Sequence, residues 1–410
     1  MGLYRYAPEP SGRMGLLWAL GTIKEAVVLE FGSMGHMLYA ERWIWQAGSG
    51  EGSKLYTTHI DEKDIALGIT KRFSQAVKEI VEKENPKVIF VLPSTVPEIT
   101  GVDMEAVCDE VRFSFEQVEF VVLKKGSFHD KLHHGIEETL YRLAKEIPDR
   151  VSMSNKHQEV AVNIIGSCLD LAKFQADVLE LKRILKGALG IETLCVLTSD
   201  TSITQIKELG KAHLNLVIRK EGVKAAKELY RTFQTEYIYG RPYGYEGTVT
   251  WLEQIADKLK LSLNQGFIKA ELEEGSYGYD YLKQVIQYNP HKASIILGGN
   301  FDAVMGIKEF ATREIGINCS YSWCNANDYG NEDIPYQSEE ELIKNLDKNF
   351  SGILMADKTA LKIAGRESGL VINRSLDSRS FNKYESPYMG FRGAMKLCSL
   401  WLEYLLKPDA

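Results

Sequence analysis

Unbroken apolar runs of strand length, each set beside a helix-period stretch, recur along this sequence and limit it to one broad class of fold. Over 65–84, Ile65, Ile69, Phe73, Val77 and Ile80 fall on one helical face, and Asn85-Pro86 ends the stretch. Val88-Ile89-Phe90-Val91-Leu92 follows as a strand, Met104 to Phe115 as a helix, and Glu119-Phe120-Val121-Val122-Leu123 as the next strand. Strands apolar at every position are buried on both faces, the condition of parallel strands joined by crossover helices. An α/β chain with mostly parallel sheets is expected.

The rhythm restarts twice. After Pro148-Asp149-Arg150 come a strand at Val160 to Ile165, a helix at Phe174 to Leu189 and a strand at Thr193 to Leu197. A helix at Ile203 to Lys211 and a strand at Leu214 to Ile218 complete this unit. The glycine and tyrosine cluster from Tyr237 to Gly247 reads as a long turn-rich connection to a helix at Trp251 to Leu261. Strands near Ser294 to Leu297 and Gly352 to Met355, with a charged helix at Glu339 to Lys348, mark a third unit. A chain of 410 residues exceeds what one growing core supports. The expected division is 1–157, 158–240 and 241–410, the last ending in a C-terminal helix.

With a net charge of -7 there is no general basic field, so neither nucleic acid nor an anionic membrane surface is an expected partner. No apolar run reaches membrane-spanning length and the first residues lack a signal-peptide pattern, so a cytoplasmic location is expected. Six cysteines form no CxxC pair, which argues against a disulfide framework or a structural zinc site. No GxGxxG follows any of the strands and no GxxxxGK[ST] occurs, so dinucleotide and P-loop readings lose their main support.

One stretch stands out for chemistry. After the apolar run Ala26-Val27-Val28-Leu29, Phe31-Gly32-Ser33-Met34-Gly35-His36 reads as a strand end, a glycine turn and the first turn of a helix. Unpaired amides at such a turn suit an anionic guest, though the same pattern serves an ordinary strand-to-helix turn. His129, His133 and His134 include two imidazoles four apart, a metal-ligand spacing that a purely structural stretch also produces. Cys319 and Cys324 are candidate thiolates or plain core thiols. Arg241, Tyr243, Cys324 and Arg392, with Arg374, Arg379 and Tyr384, are candidates for a cleft that takes a flat anionic substrate through guanidinium contacts and stacking.

The run Glu62 to Gly68, the strand ending at Ser94-Thr95, and Val96-Pro97-Glu98-Ile99-Thr100-Gly101-Val102-Asp103 resemble nitrogenase component 1-type proteins. So do Gly126-Ser127-Phe128 with His134-Gly135, Val162 to Gly166, Asn215-Leu216-Val217, Pro242-Tyr243-Gly244 and Pro387 to Ala394, in that order over nearly the whole chain. The resemblance implies three Rossmann-like domains, a similar component 1-type partner subunit in a homo- or heterodimer or heterotetramer, and electrons from a separate ATP-dependent iron-sulfur reductase. Met37, Leu38, Tyr39, Trp43 and Trp45 suit the interface such pairing needs.

Family members that carry a cluster place cysteines at three positions, which here read Pro10-Ser11-Gly12, Gly35-His36 and Ser94-Thr95. Thiolates suit iron, imidazole replaces some of them, and hydroxyls are poor substitutes. The cofactor-binding candidates implied by the resemblance are Ser11, Gly32, Ser33, Gly35, His36, Ser94 and Thr95, with His36 the one metal donor. An iron-sulfur cluster shared with a partner subunit is the cofactor implied, with none expected for the chain alone. Two roles stay open. One is a reductase subunit passing electrons, with ATP hydrolysis, to a metallocofactor or tetrapyrrole-like substrate. The other is a non-catalytic scaffold, carrier or degenerate assembly paralogue.

Overall fold

The computed structural model describes residues 10–32, 52–60, 63–64, 70–94, 101–123, 130–150, 156–290, 292–346, 350–366, 369–374 and 385–407. Its strands form three sheets of four, all parallel where they pair. The α/β class expected from the apolar runs is what the chain adopts.

The first sheet has the order β2-β1-β3-β4, from β1 (Ala26–Phe31), β2 (Lys54–Thr57), β3 (Val88–Pro93) and β4 (Glu119–Val122). Val28 faces the central core while Val27 and Leu29 face an outer one with Phe73, Val77 and Ile80, so both faces are covered. The helices here are α1 (Gly12–Leu20), α2 (Thr70–Glu84), α3 (Met104–Arg112) and α4 (Leu132–Glu146). Asp103 caps α3 by accepting from the amides of Glu105 and Ala106. α1 and α4 cross almost backbone to backbone: a Cβ on Gly135 would lie 1.9 Å from the carbonyl oxygen of Gly12, and one on Gly15 would lie 2.2 Å from that of Leu132.

The second sheet has the order β6-β5-β7-β8, from β5 (Ala161–Ser167), β6 (Glu192–Thr198), β7 (Leu214–Val217) and β8 (Glu236–Tyr239). Its helices are α5 (Phe174–Leu189), α6 (Ile203–Lys207) and α7 (Val223–Phe233). The stretch 237–247, expected to be a turn-rich connection, instead supplies most of β8 and the first turn of α8 (Tyr245–Leu259). Half-buried tyrosines suit an edge strand, and Gly244 hands the chain directly to the helix.

α9 (Gln265–Tyr288) leads to the third sheet, β10-β9-β11-β12, from β9 (Ser294–Gly299), β10 (Asn318–Cys324), β11 (Ile353–Ala356) and β12 (Leu370–Val371). Around it lie α10 (Phe301–Glu309), α11 (Glu339–Asn345), α12 (Lys358–Ile363) and the terminal α13 (Gly390–Leu405). α13 buries Phe391, Leu397 and Trp401 in the central core, which runs without a break from α1 through the second and third sheets. Among the described residues, no helix is long and apolar enough to cross a membrane.

Candidate functional site

In an open parallel sheet, the place for a guest is the crevice at the carboxyl ends of two strands whose connections leave in opposite directions. The second sheet has this switch between β5 and β7, and the third has it between β9 and β11. The segments that follow β5, β7 and β9 meet in one buried polar network.

β5 ends through Gly166, held at φ +113, and the side chain of Arg219 lies across it. Arg219 is buried, yet all three guanidinium nitrogens are used. Nη1 and Nη2 donate to the two carboxylate oxygens of Asp170 at 2.7 and 3.0 Å, and Nε and Nη2 donate to Glu221 at 2.9 and 2.7 Å. Burial works against the charge on Arg219, but the two carboxylates outweigh it and hold the group firmly protonated. Burial likewise pushes Glu221 up, and Arg219 more than reverses it, leaving the carboxyl below its ordinary range.

The network continues into the third sheet. Asn300, just past β9, donates to Glu221 at 3.3 Å, and its own side chain caps α10. Asp302 accepts from the backbone amide of Lys220 at 2.7 Å, from Arg241 Nε at 2.6 Å and from the Tyr239 hydroxyl. The amide of Arg374 donates to the carbonyl of Asp170 at 2.8 Å. At the rim, His133 and His134 in the first turn of α4 both meet Asp328, in the loop after β10; His134 Nε2 stands 3.3 Å from Oδ2. Burial holds His133 below the ordinary imidazole range despite that carboxylate.

The chemistry of this junction is mutual compensation. Each buried charge is answered by an opposite charge or a hydrogen bond, so a guest at the β5–β7 switch would have to displace a satisfied ion triad.

The sequence-derived candidates fall in several places. Arg241 belongs to the junction, and with Tyr243 it lines a cavity of about 340 Å³. Arg374 lines another of about 290 Å³ with Lys173, Lys358, Lys396, Glu385 and Tyr388. Cys324 is buried, its thiol directed to the carbonyls of Ala326 and Ile334. Arg392 is largely exposed, 4.0 Å from Glu180 of α5. Ser33, Gly35, His36, Thr95, His129, Arg379 and Tyr384 lie outside the described residues, as does the aromatic run 37–45. Sequence reasoning missed Asp170, Arg219, Glu221, Asn300, Asp302 and Asp328. All but Asp328 share one signal, a polar residue within a few positions after a largely apolar strand; Asp328 follows β10, whose mixed polarity gives none.

Ser11, Gly32 and Ser94 are described, and Gly32 and Ser94 pack together beside a buried ion pair. Ser11 precedes α1, and two residues on Arg13 pairs with Glu30 of β1 and donates to the carbonyl of Pro93 at 2.9 Å. Ser94 is buried against Gly32, where a Cβ would stand 2.5 Å from its hydroxyl oxygen. The donors described at the implied cluster positions are therefore hydroxyls, beside a guanidinium already matched to a carboxylate. Burial pushes Cys108, Cys195 and Cys398 each up to about 12 and also raises Cys168, Cys319 and Cys324. No cysteine stands at the implied cluster positions and hydroxyls are poor ligands for iron, so the described residues do not fit an iron-sulfur cluster held by this chain.

Three parallel four-stranded sheets, two of them joined at their switch points, define a multi-unit doubly wound α/β protein. The family model described as nitrogenase component 1 type oxidoreductase matches residues 11–406, and the chain belongs to that family. It is 28% identical over 307 residues to the nitrogenase iron-molybdenum cofactor biosynthesis protein NifE of Clostridium pasteurianum, covering 73% of this chain and 64% of that one. It is 29% identical over 274 residues to a subunit of the light-independent protochlorophyllide reductase of Prochlorococcus marinus, covering 64% of this chain and 51% of the relative. The matches thus span less than two thirds of the relatives' length. The fold is that of the solved structure of nitrogenase Cp1 at pH 6.5, with a TM-score of 0.79 and 16% identity over 99% of this chain and 94% of that one.

Proposed function

We propose that this chain is a nitrogenase-like subunit that works through a similar partner subunit, and that it serves the holding or assembly of a metallocofactor rather than electron transfer of its own. The observation that carries the reading is the Arg13–Glu30 pair. A matched ion pair stands beside Gly32, against which Ser94 packs, and the donors described at the implied cluster positions are hydroxyls rather than thiols. The similarity to a cofactor biosynthesis protein supports the same role. Partner pairing and an ATP-dependent iron-sulfur reductase as electron source belong to the reading as family expectations. The second reading, a reductase subunit acting on a tetrapyrrole-like substrate, is favoured by the similarity to the protochlorophyllide reductase.

The test is anaerobic purification of the chain alone and with a second component 1-type subunit from the same organism, with molar mass, iron and acid-labile sulfide measured for each. The expected result is a mixed oligomer whose metal belongs to the complex, with none in stoichiometric amount on the chain alone. Stoichiometric iron and sulfide on the isolated chain, surviving gel filtration, would overturn the reading. ATP-dependent reduction by the complex on adding the iron-sulfur reductase would select the second.

A further inference from the structure

His133, His134 and Asp328 offer three donor atoms that all lie within 4.8 Å of one another. They come from two elements that are each firmly placed. α4 is fixed by its close crossing with α1, and the loop of Asp328 is tied down by Asn325 N–H to the carbonyl of Gly299 at 3.0 Å and Tyr329 N–H to that of Ala326 at 3.2 Å. His133 is buried with its ring 4.8 Å from that of Tyr329, whereas His134 and Asp328 are 38% and 49% exposed in their side chains. One face of the cluster is rigid and dry, and the other is open to water. The nearby Lys220 ammonium is taken up over the Tyr329 and Phe301 rings, at 4.4 and 5.4 Å from their centroids.

We infer that His133, His134 and Asp328 bind a single divalent first-row transition-metal ion at the rim of the junction. Two imidazoles and one carboxylate with open positions are the ligand set of such ions, water completing the coordination. Donors about 2.1 Å from a tetrahedral centre stand about 3.4 Å apart. The 3.3 Å between His134 Nε2 and Asp328 Oδ2 is close to this, and the His133 and His134 rings already stand side by side, 4.1 Å between centroids. On binding, each neutral imidazole gives up the hydrogen on Nε2 and carries its one hydrogen on Nδ1, so that the Nε2 lone pair turns to the ion. The metal-free cluster is held by the hydrogen bonds from Nε2 to Asp328 instead. None of these residues touches the Arg13–Glu30 pair, so this site and the proposed role stand or fall separately.

Chelator-stripped full-length chain is titrated with Co(II), followed by its visible d–d absorption, then displaced with Zn(II). The expected result is one saturable equivalent, with affinity lowered at least about tenfold by His134→Ala and by Asp328→Asn. His157→Gln, at an exposed histidine shortly before β5, leaves it unchanged. Zn(II) also raises the thermal midpoint of wild type and fails to do so for the two ligand variants. Both substitutions are at exposed side chains, and circular dichroism verifies their fold. Absence of a saturable site in folded wild type, or equal affinity in all four proteins, would show a hydrogen-bonded cluster only and overturn the assignment.

Discussion

Gly166 makes room for Arg219: a Cβ on the glycine would stand 2.5 Å from the arginine Cγ and 3.1 Å from its Cδ. The glycine also sits at φ +113, where a side chain is strained whatever the space. Gly166→Ala is therefore expected to cost about 3 kcal/mol of stability through strain and overpacking together. Arg219→Met, which leaves Asp170 and Glu221 buried without their counter-charge, is expected to cost about 3–5 kcal/mol. Lys269→Ala, in an exposed helical pair with Glu273, should change stability by no more than about 0.5 kcal/mol. Urea denaturation of the three variants checks the order, and an Arg219 variant as stable as the Lys269 one contradicts it.

The Arg13–Glu30 pair allows a sharper comparison. Arg13→Met alone takes the guanidinium from a buried carboxylate on β1 and is expected to lose about 3–5 kcal/mol. Adding Glu30→Leu removes that carboxylate, and the double variant should recover most of the loss. A double variant no more stable than the single one, by equilibrium denaturation, would show that the pair is not what fills this part of the fold.

Asp177 supplies a pH dependence. Its carboxylate is buried and accepts from the amides of Tyr388 and Met389 at 2.7 and 2.9 Å, and burial pushes its pKa up to about 6. A carboxyl raised in the folded state binds protons more readily folded than unfolded. Its contribution to stability is therefore fully present below about pH 4 and is lost as pH rises through about 6. Asp177→Asn keeps an acceptor oxygen without the charge. Whatever constant offset the amide brings, the variant should gain on wild type as pH rises across that window and hold a steady difference above it. Denaturation at several pH values reads the stability of the variant minus that of wild type, and a difference that falls with rising pH is the contrary result.

The sequence alone made β3, β5 and β7 legible because each is buried on both faces and so reads as a largely apolar run, broken in β5 and β7 by Asn163 and Asn215, which hydrogen-bond each other. β2, β8 and much of β10 are half-exposed edge strands whose mixed polarity resembles loop. α9 was hidden by Gly266, Gly275 and Gly278, which lower local helix propensity; Gly275 is required because the Tyr245 ring packs against it. The site was harder to see. Arg219 and Asp170 lie 49 residues apart, and His133 and Asp328 lie 195 apart, so no local window contains either pair. The His133–His134 doublet was visible as a candidate, but its carboxylate was not, since only the folded chain brings the loop after β10 to the start of α4.

Gly135→Ala tests the frame that holds that doublet. A Cβ would meet the Gly12 carbonyl at 1.9 Å, and backbone on both helices leaves no flexible side chain to yield. The expected loss is about 1–3 kcal/mol or more, read as a lowered thermal midpoint. An unchanged midpoint would mean that α1 and α4 can part without cost.

Asp302 accepts from the main chain beyond β7 and from Arg241 beyond β8, while itself standing at the head of α10. Prying the second sheet from the third by a hinge would strip this carboxylate of donors in a place with no solvent to replace them. At this junction the second and third sheets therefore have no hinge to close, and a molecule that docks across them would meet the two already held together.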